Sequence, residues 1–364
     1  MRTLVVNAGS SSLKLRVLDD GGNVVSTSDL AAGNEGLDQE QLGGFLAGIE
    51  VDAVGHRVVH GGTQFTRPTL LDSHVLESLR GLTDLAPLHQ PKSLAGIDAV
   101  GGLLRHVPAV ACFDTAFHAD LPEAASTYAL PQEWRTAWQL RRFGFHGLSH
   151  SYASRRAAEM VGGSPDGMRT VVCHLGAGAS LCAVAGVQSV DTTMGFTPLE
   201  GLVMATRSGS VDPGLVLWLL EHTGLSEAEV ANALEHESGL LALGGTGDMR
   251  ELLAREADGD ERASLAVDVY LHRLVAAVAA MTASLGGLDV LVYTGGVGEN
   301  APTIRARATE RLAFLGVALD DAGNSAVAGE DTDVSAGGAG VRTLVVASRE
   351  DLEIVRGVRD VLGC

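Results

Sequence analysis

A short pattern occurs twice in this chain. Arg2-Thr3-Leu4-Val5-Val6-Asn7-Ala8-Gly9 is matched by Arg169-Thr170-Val171-Val172-Cys173-His174-Leu175-Gly176. Each run is apolar and rich in β-branched residues, breaks at glycine and small residues, and leads into a second strand-like run. That second run is Leu13 to Val17 in the first copy and Leu181 to Val184 in the second. Third strands are predicted at Asn23 to Val25 and Val187 to Val190. A strand–turn–strand unit that appears twice predicts a duplicated domain.

The rest of the chain supports that reading. Asp52 to Val59 and Ala109 to Phe113 are strand-like and lie between the copies. After the second copy, Asp212-Pro213 predicts a helix start with an N-cap and a first-turn proline, and Ser226 to Glu229 has capping-box spacing. Leu265 to Leu285 predicts a long apolar helix, Asp289 to Tyr293 and Arg342 to Ala347 predict strands, and Asp351 to Leu362 predicts a last helix. Asp331 to Gly340 is rich in glycine and acids and is expected to be a surface loop. Strands interleaved with helices predict an α/β fold. At 364 residues, with 46% apolar residues, the chain can build two cores of ordinary size.

A formal net charge of −19 disfavours nucleic acid and anionic membranes as partners. It also repels anionic small molecules, so a site for them needs a local positive field. No Cys-x-x-Cys pair occurs, and Cys112, Cys173 and Cys182 lie in apolar runs. Buried, reduced thiols and a cytoplasmic location are expected. The apolar core of the Leu274 to Leu285 stretch is too short for a membrane span, and the N-terminal apolar run too short for a signal peptide.

Three glycine- or serine-rich turns sit at predicted strand ends and could approach phosphates closely. They are Asn7 to Lys14, His174 to Ser180, and Gly295-Gly296-Val297-Gly298-Glu299-Asn300. Ordinary hairpin turns would read the same way one at a time. None forms Gly-x-Gly-x-x-Gly, which disfavours a nicotinamide dehydrogenase. Arg57, in Gly55-His56-Arg57-Val58-Val59-His60-Gly61-Gly62, and Arg207, in Met204-Ala205-Thr206-Arg207-Ser208-Gly209, stand between apolar and glycine residues. A guanidinium there can grip a carboxylate or phosphate with two hydrogen bonds, or pair with a structural carboxylate. Histidines 89, 118, 146 and 150 form no zinc pattern, and Asp114 ends a strand where acids often hold a metal.

Taken together, these segments resemble the acetate kinase family of the acetate/sugar kinase–Hsp70–actin superfamily. The matching motifs are Asn7 to Lys14, Gly55 to Gly62, Ala86-Pro87-Leu88-His89, Phe113 to His118, Phe143 to Gly147, Met194 to Leu202 and Gly295 to Asn300, in family order. The resemblance implies two duplicated actin-like (ribonuclease H-like) domains with an interdomain cleft, a first lobe of residues 1–117 plus 352–364 and a nucleotide-binding lobe of residues 118–351. It implies reversible in-line transfer from ATP to acetate, giving acetyl phosphate and ADP, with Mg2+ (or Mn2+) and usually in a homodimer.

Carried over by motif, Asp114, Arg57, Arg207 and His146 would be catalytic, with His146 and Arg207 stabilising the transition state. Arg57, Val59, Leu88, Phe145 and Pro198 would bind acetate. Lys14, His174, Gly176, Ala177, Gly178, Asp248, Met249, Arg250, Gly295, Gly296, Val297, Gly298 and Asn300 would meet the nucleotide, and Asn7, Glu350 and Asp114 the metal. The chain departs from the family pattern at Ala177 (usually asparagine), at Ala205 (usually glycine) and at Ser348-Arg349-Glu350-Asp351 (usually Thr-Asn-Glu-Glu). A propionate or butyrate kinase of the same fold, and an ATP-driven binding protein of the superfamily, are the alternative readings.

Overall fold

The repeat reappears as two sheets with one wiring. In the computed structural model, which describes residues 1–8, 12–33, 36–37, 39–86 and 89–364, the strands are β1 (Thr3–Ala8), β2 (Ser12–Leu18), β3 (Val24–Gly33), β4 (Gly36–Leu37), β5 (Ala53–Val58), β6 (Thr69–Leu70), β7 (Ala109–Phe113), β8 (Arg169–Leu175), β9 (Ala179–Ala185), β10 (Gln188–Thr192), β11 (Val290–Thr294), β12 (Thr332–Asp333) and β13 (Arg342–Val345). Among the described residues the first sheet runs β4-β3-β2-β1-β5-β7-β6 and the second β10-β9-β8-β11-β13-β12. Apart from β4, they superpose in order and sense. An antiparallel hairpin precedes two parallel crossovers, and a short antiparallel edge strand closes each sheet. This is the duplicated actin-like α/β architecture.

The chain divides into two compact units, Met1–Ala119 with Phe145–Tyr152 and Arg349–Cys364, and Asp120–Gly144 with Ala153–Ser348. In the first, Val5, Val110 and Cys112 pack on Ile354, Val355 and Val358 of helix Glu350–Leu362. Leu4, Val6, Val54 and Val100 form a core on the opposite face. In the second, helix Glu261–Leu285 packs along β8 and β9. By length and composition it could cross a membrane. Here it is a core helix, with Val267, Tyr270, Leu271 and Leu274 buried. It starts before the expected Leu265 because the Asp260 carboxylate accepts from the Arg262 and Ala263 amides. The Asp212 cap and the Ser226–Glu229 capping box are both present.

The segment expected to be a loop at 331–340 is more ordered than its composition suggests. Thr332–Asp333 pairs with β13. Asp331 accepts from Arg156 Nε at 2.6 Å and from the Ala347 amide at 2.9 Å.

Cys112, Cys173 and Cys182 are fully buried and form no disulfide, whereas Cys364 is exposed. Burial pushes the Cys182 thiol up to about 12 and raises Cys112 and Cys173 as well. Titration with a disulfide reagent at pH 8 is therefore expected to find one reactive thiol in the native protein and all four after denaturation. Rapid native reaction of more than one would contradict the packing.

Candidate active site

In the first unit, strand register builds the site. Asn7 of β1 pairs with Lys14 of β2 on one side and with Arg57 of β5 on the other. Residues directly opposite in a ladder share a face, so Lys14, Asn7 and Arg57 form one row. Asp114 follows β7, its amide held by the Val58 carbonyl at 3.0 Å. Arg57 donates from Nε to Asp114 Oδ1 at 3.0 Å and from Nη2 to Oδ2 at 2.6 Å. Its Nη1 donates to Asn7 Oδ1 at 3.1 Å and lies 3.6 Å from Glu350 Oε2. Asn7 Nδ2 donates to that same Oε2 at 3.2 Å.

Asp114 is 1% exposed. Burial favours its neutral form and raises its pKa, against the pull of the Arg57 fork. Burial alone would lower Arg57. The Asp114 and Glu350 carboxylates outweigh it and hold the guanidinium charged far above the neutral range.

Arg57 thus links the expected metal residues, with Asp114 at its Nε and Nη2 and with Asn7 and Glu350 at its Nη1. Among the described residues no cluster of three or more His, Cys, Asp and Glu side chains forms. The donor set is all oxygen, and Glu350 uses only Oε2 in these contacts. Two carboxylates and an amide suit a hard cation that keeps waters and completes its shell with phosphate.

Gly144 and His146 both have left-handed backbone, at φ 72° and 56°. For histidine that conformation is strained, and such strain concentrates at functional turns. The turn is pinned by the Gly147 amide donating to the Asp114 carbonyl at 2.9 Å. A Cβ on Gly147 would sit 2.2 Å from that oxygen, so only glycine fits. Phe145 is buried, its carbonyl accepts from His118 Nε2 at 3.1 Å, and its ring meets His60 edge-on at 5.5 Å. Burial lowers His118 to about 4, so that ring is a neutral donor. Val59 is buried beside His60. Leu88 and the turn at Gly9 to Ser11 lie outside the described residues.

In the second unit, Gly176, Ala177, Asp248, Met249, Arg250, Gly296, Val297 and Asn300 line one cleft of about 470 Å³. His174, Gly178, Gly295 and Gly298 do not line it. His174 lies in β8, opposite Thr294 of β11. Asp248 caps helix Met249–Ala257 and accepts from Arg250 Nη2 at 2.7 Å. That bond holds the Asp248 carboxyl down at about 2. Ala205, already marked as a departure from the family pattern, joins Leu240, Gly247, Tyr270 and Ala301 in completing the wall; the last four carry no sequence signal beyond Gly247 adjoining Asp248.

Another unforeseen residue is Arg305, which is 1% exposed. It holds the Gly298 and Glu299 carbonyls at 2.8 Å and Asn324 at 2.7 Å, bracing the turn that lines the cleft. Arg207 Nε lies 3.0 Å from Glu235 Oε2, and its Nη1 donates to the Pro198 carbonyl at 3.4 Å. Two expected site residues therefore touch.

A Cβ on Gly296 would meet nothing within 4 Å. Glycine is not needed there for packing, so its absent side chain keeps the cleft open. Gly296→Leu is expected to fold normally. An overpacking cost of about 1–3 kcal/mol corresponds to a rise of about 5–150-fold in KM for nucleotide. An unchanged nucleotide KM would show that the cleft does not hold it.

The acetokinase family model matches residues 38–356. The chain belongs to the acetokinase family. The acetate kinase of Deinococcus deserti is 45% identical over 393 aligned positions, covering 100% of this chain and 98% of that one. Among solved structures, Porphyromonas gingivalis acetate kinase matches with a TM-score of 0.90 at 34% identity, covering 99% of each chain. A propionate kinase from Francisella tularensis matches with a TM-score of 0.91 at 35% identity, again over 99% of each.

Proposed function

We propose that this acetokinase-family chain is an acetate kinase, transferring the terminal phosphoryl group of ATP to acetate to give acetyl phosphate and ADP. The observation that carries the reading is the cluster of Arg57, Asp114 and Asn7 at strand ends with Glu350 at the start of helix Glu350–Leu362, a charged constellation with little exposure to solvent. Acetate is ionised at neutral pH and needs no general base. The barrier is the approach of one anion to another, so catalysis rests on positioning and charge neutralisation. Arg57 and Arg207 supply positive charge, and His146 donates to the transferring group. Asp114, Glu350 and Asn7 would hold a magnesium ion, which adds charge neutralisation at the phosphates. By the family motifs, Val59, Leu88, Phe145 and Pro198 are the residues proposed to meet the methyl group, and the cleft beside Gly296 takes the nucleotide.

Formation of acyl hydroxamate from ATP, magnesium and hydroxylamine tests this with acetate, propionate and butyrate. One methylene changes selectivity by about 10–200-fold. Acetate should be favoured and propionate second. Absence of any acyl phosphate would favour the ATP-driven binding alternative, and equal use of butyrate would remove the small pocket.

The same reading places the enzyme in the cytoplasm as a homodimer. Helix Pro213–His222 has no buried residue, and Leu215, Leu217 and Trp218 on it are exposed. An apolar helix left open in this way suits a second copy of the chain. Leu217→Glu is expected to halve the mass measured by light scattering. An unchanged dimer would exclude this helix from the interface.

A further inference from the structure

Strand β5 carries Arg57 on one face and leaves a buried imidazole on the other. Successive residues alternate, so Val54, His56 and Val58 face away from helix Glu350–Leu362. There His56 lines a pocket of about 290 Å³. Val54 and Ala109 line it from the strands, Leu76 from helix Ser73–Gly81, and Ile97 and Leu104 from helix Gln90–Leu103. Leu76, Leu104 and Ala109 are only half-buried, so apolar surface is left uncovered inside it.

The His56 side chain is 2% exposed, and its ring makes no hydrogen bond to any described residue. Burial lowers its pKa to about 3, so the ring is neutral, with one N–H donor and one acceptor nitrogen. Leaving such a group unpaired costs about 1–3 kcal/mol. Water is a poor occupant, because it needs two to four polar partners and the side chains lining the pocket are apolar apart from His56 and Asp98. Asp98, which lines the pocket, is paired with a cation. Arg80 Nη2 donates to both oxygens of Asp98, at 2.9 and 3.1 Å. With no uncompensated cation and a neutral imidazole, an anion would be desolvated without return.

We propose that this pocket is a binding site for a neutral small molecule with a mainly apolar body and one hydroxyl group that pairs with His56. The inference is independent of the phosphoryl-transfer reading, and its test uses neither nucleotide nor acetate.

The experiment follows the ring nitrogens of the full chain, labelled with 15N-histidine, during titration with phenol and with toluene, its counterpart lacking the hydroxyl. The His56 signal is assigned by its loss in His56→Leu. Phenol is expected to move that signal saturably and to bind about fivefold or more tightly than toluene. His56→Leu should bind the two equally. Ala109→Ile fills the pocket from a strand position that favours β-branched residues, and should abolish binding of both while the protein stays folded. The proposal is overturned if neither probe binds saturably, if toluene binds the native chain as tightly as phenol, or if Ala109→Ile binds phenol with native affinity. Loss of kinase activity in these variants would bear on the catalytic reading alone.

Discussion

Arg57→Ala is expected to lower turnover by roughly 10³-fold or more, in line with other arginines that stabilise phosphoryl-transfer transition states. The structure adds a second loss. Arg57 donates three hydrogen bonds that offset the burial of Asp114, and Asp114 is 1% exposed. Removing one partner of a buried pair leaves an uncompensated charge and costs about 3–5 kcal/mol. The alanine variant should therefore be both slow and unstable, and instability alone could mimic the kinetic loss.

Arg57→Lys separates the two. A lysine keeps a charge near Asp114, so most of the stability should remain, but it lacks the planar fork that holds Asp114 and Asn7 together. Turnover measured on folded Arg57→Lys should still fall by about 10²-fold or more. Near-normal turnover in that variant would make Arg57 a structural partner of Asp114 and remove it from the reaction.

What the sequence made legible follows from local physics. The repeated strand–turn–strand motif predicts a duplicated domain, because β-branched alternation and glycine breaks are short-range signals. The edge strands β6 and β12 were not legible. At two residues each they carry no period, and β7 and β13 create them by pairing. Helix Gln90–Leu103 was also missed. Gly96, Gly101 and Gly102 weaken its helical pattern, and Gly96 is there because a Cβ would lie 3.3 Å from Leu13 of the neighbouring sheet.

At the candidate site, motifs pointed to Arg57, Asp114, Asn7 and Glu350, but not to the way they satisfy one another. Arg305 shows the limit most clearly. In sequence it is an ordinary arginine on a polar helix. Its burial against backbone carbonyls depends on Asn324 and on the carbonyls of Gly298 and Glu299, which pattern reading cannot place. Tyr270 and Leu240 were unreadable for the same reason, since they are core residues on one side and cleft wall on the other.

The second large effect is expected at Arg207, where two explanations compete. The guanidinium lies 3.0 Å from Glu235, and the side chains are 19% and 17% exposed. If Arg207 serves only to hold Glu235, then Arg207→Ala and Glu235→Gln break the same interaction and should damage the enzyme to similar degrees. If Arg207 neutralises the transferring phosphoryl, the two must differ. Arg207→Ala should cut kcat/KM by roughly 10³-fold or more, whereas Glu235→Gln keeps the guanidinium and disturbs only its orientation, costing about 10-fold. Arg207→Lys discriminates further, because a point charge without the fork cannot grip two oxygens and should recover little of the loss. On the proposed reading, Arg207 acts on kcat. Glu235 is instead its anchor, along with the Pro198 carbonyl. Equal losses in Arg207→Ala and Glu235→Gln would reduce the pair to structure and leave Arg57 as the sole arginine of the site.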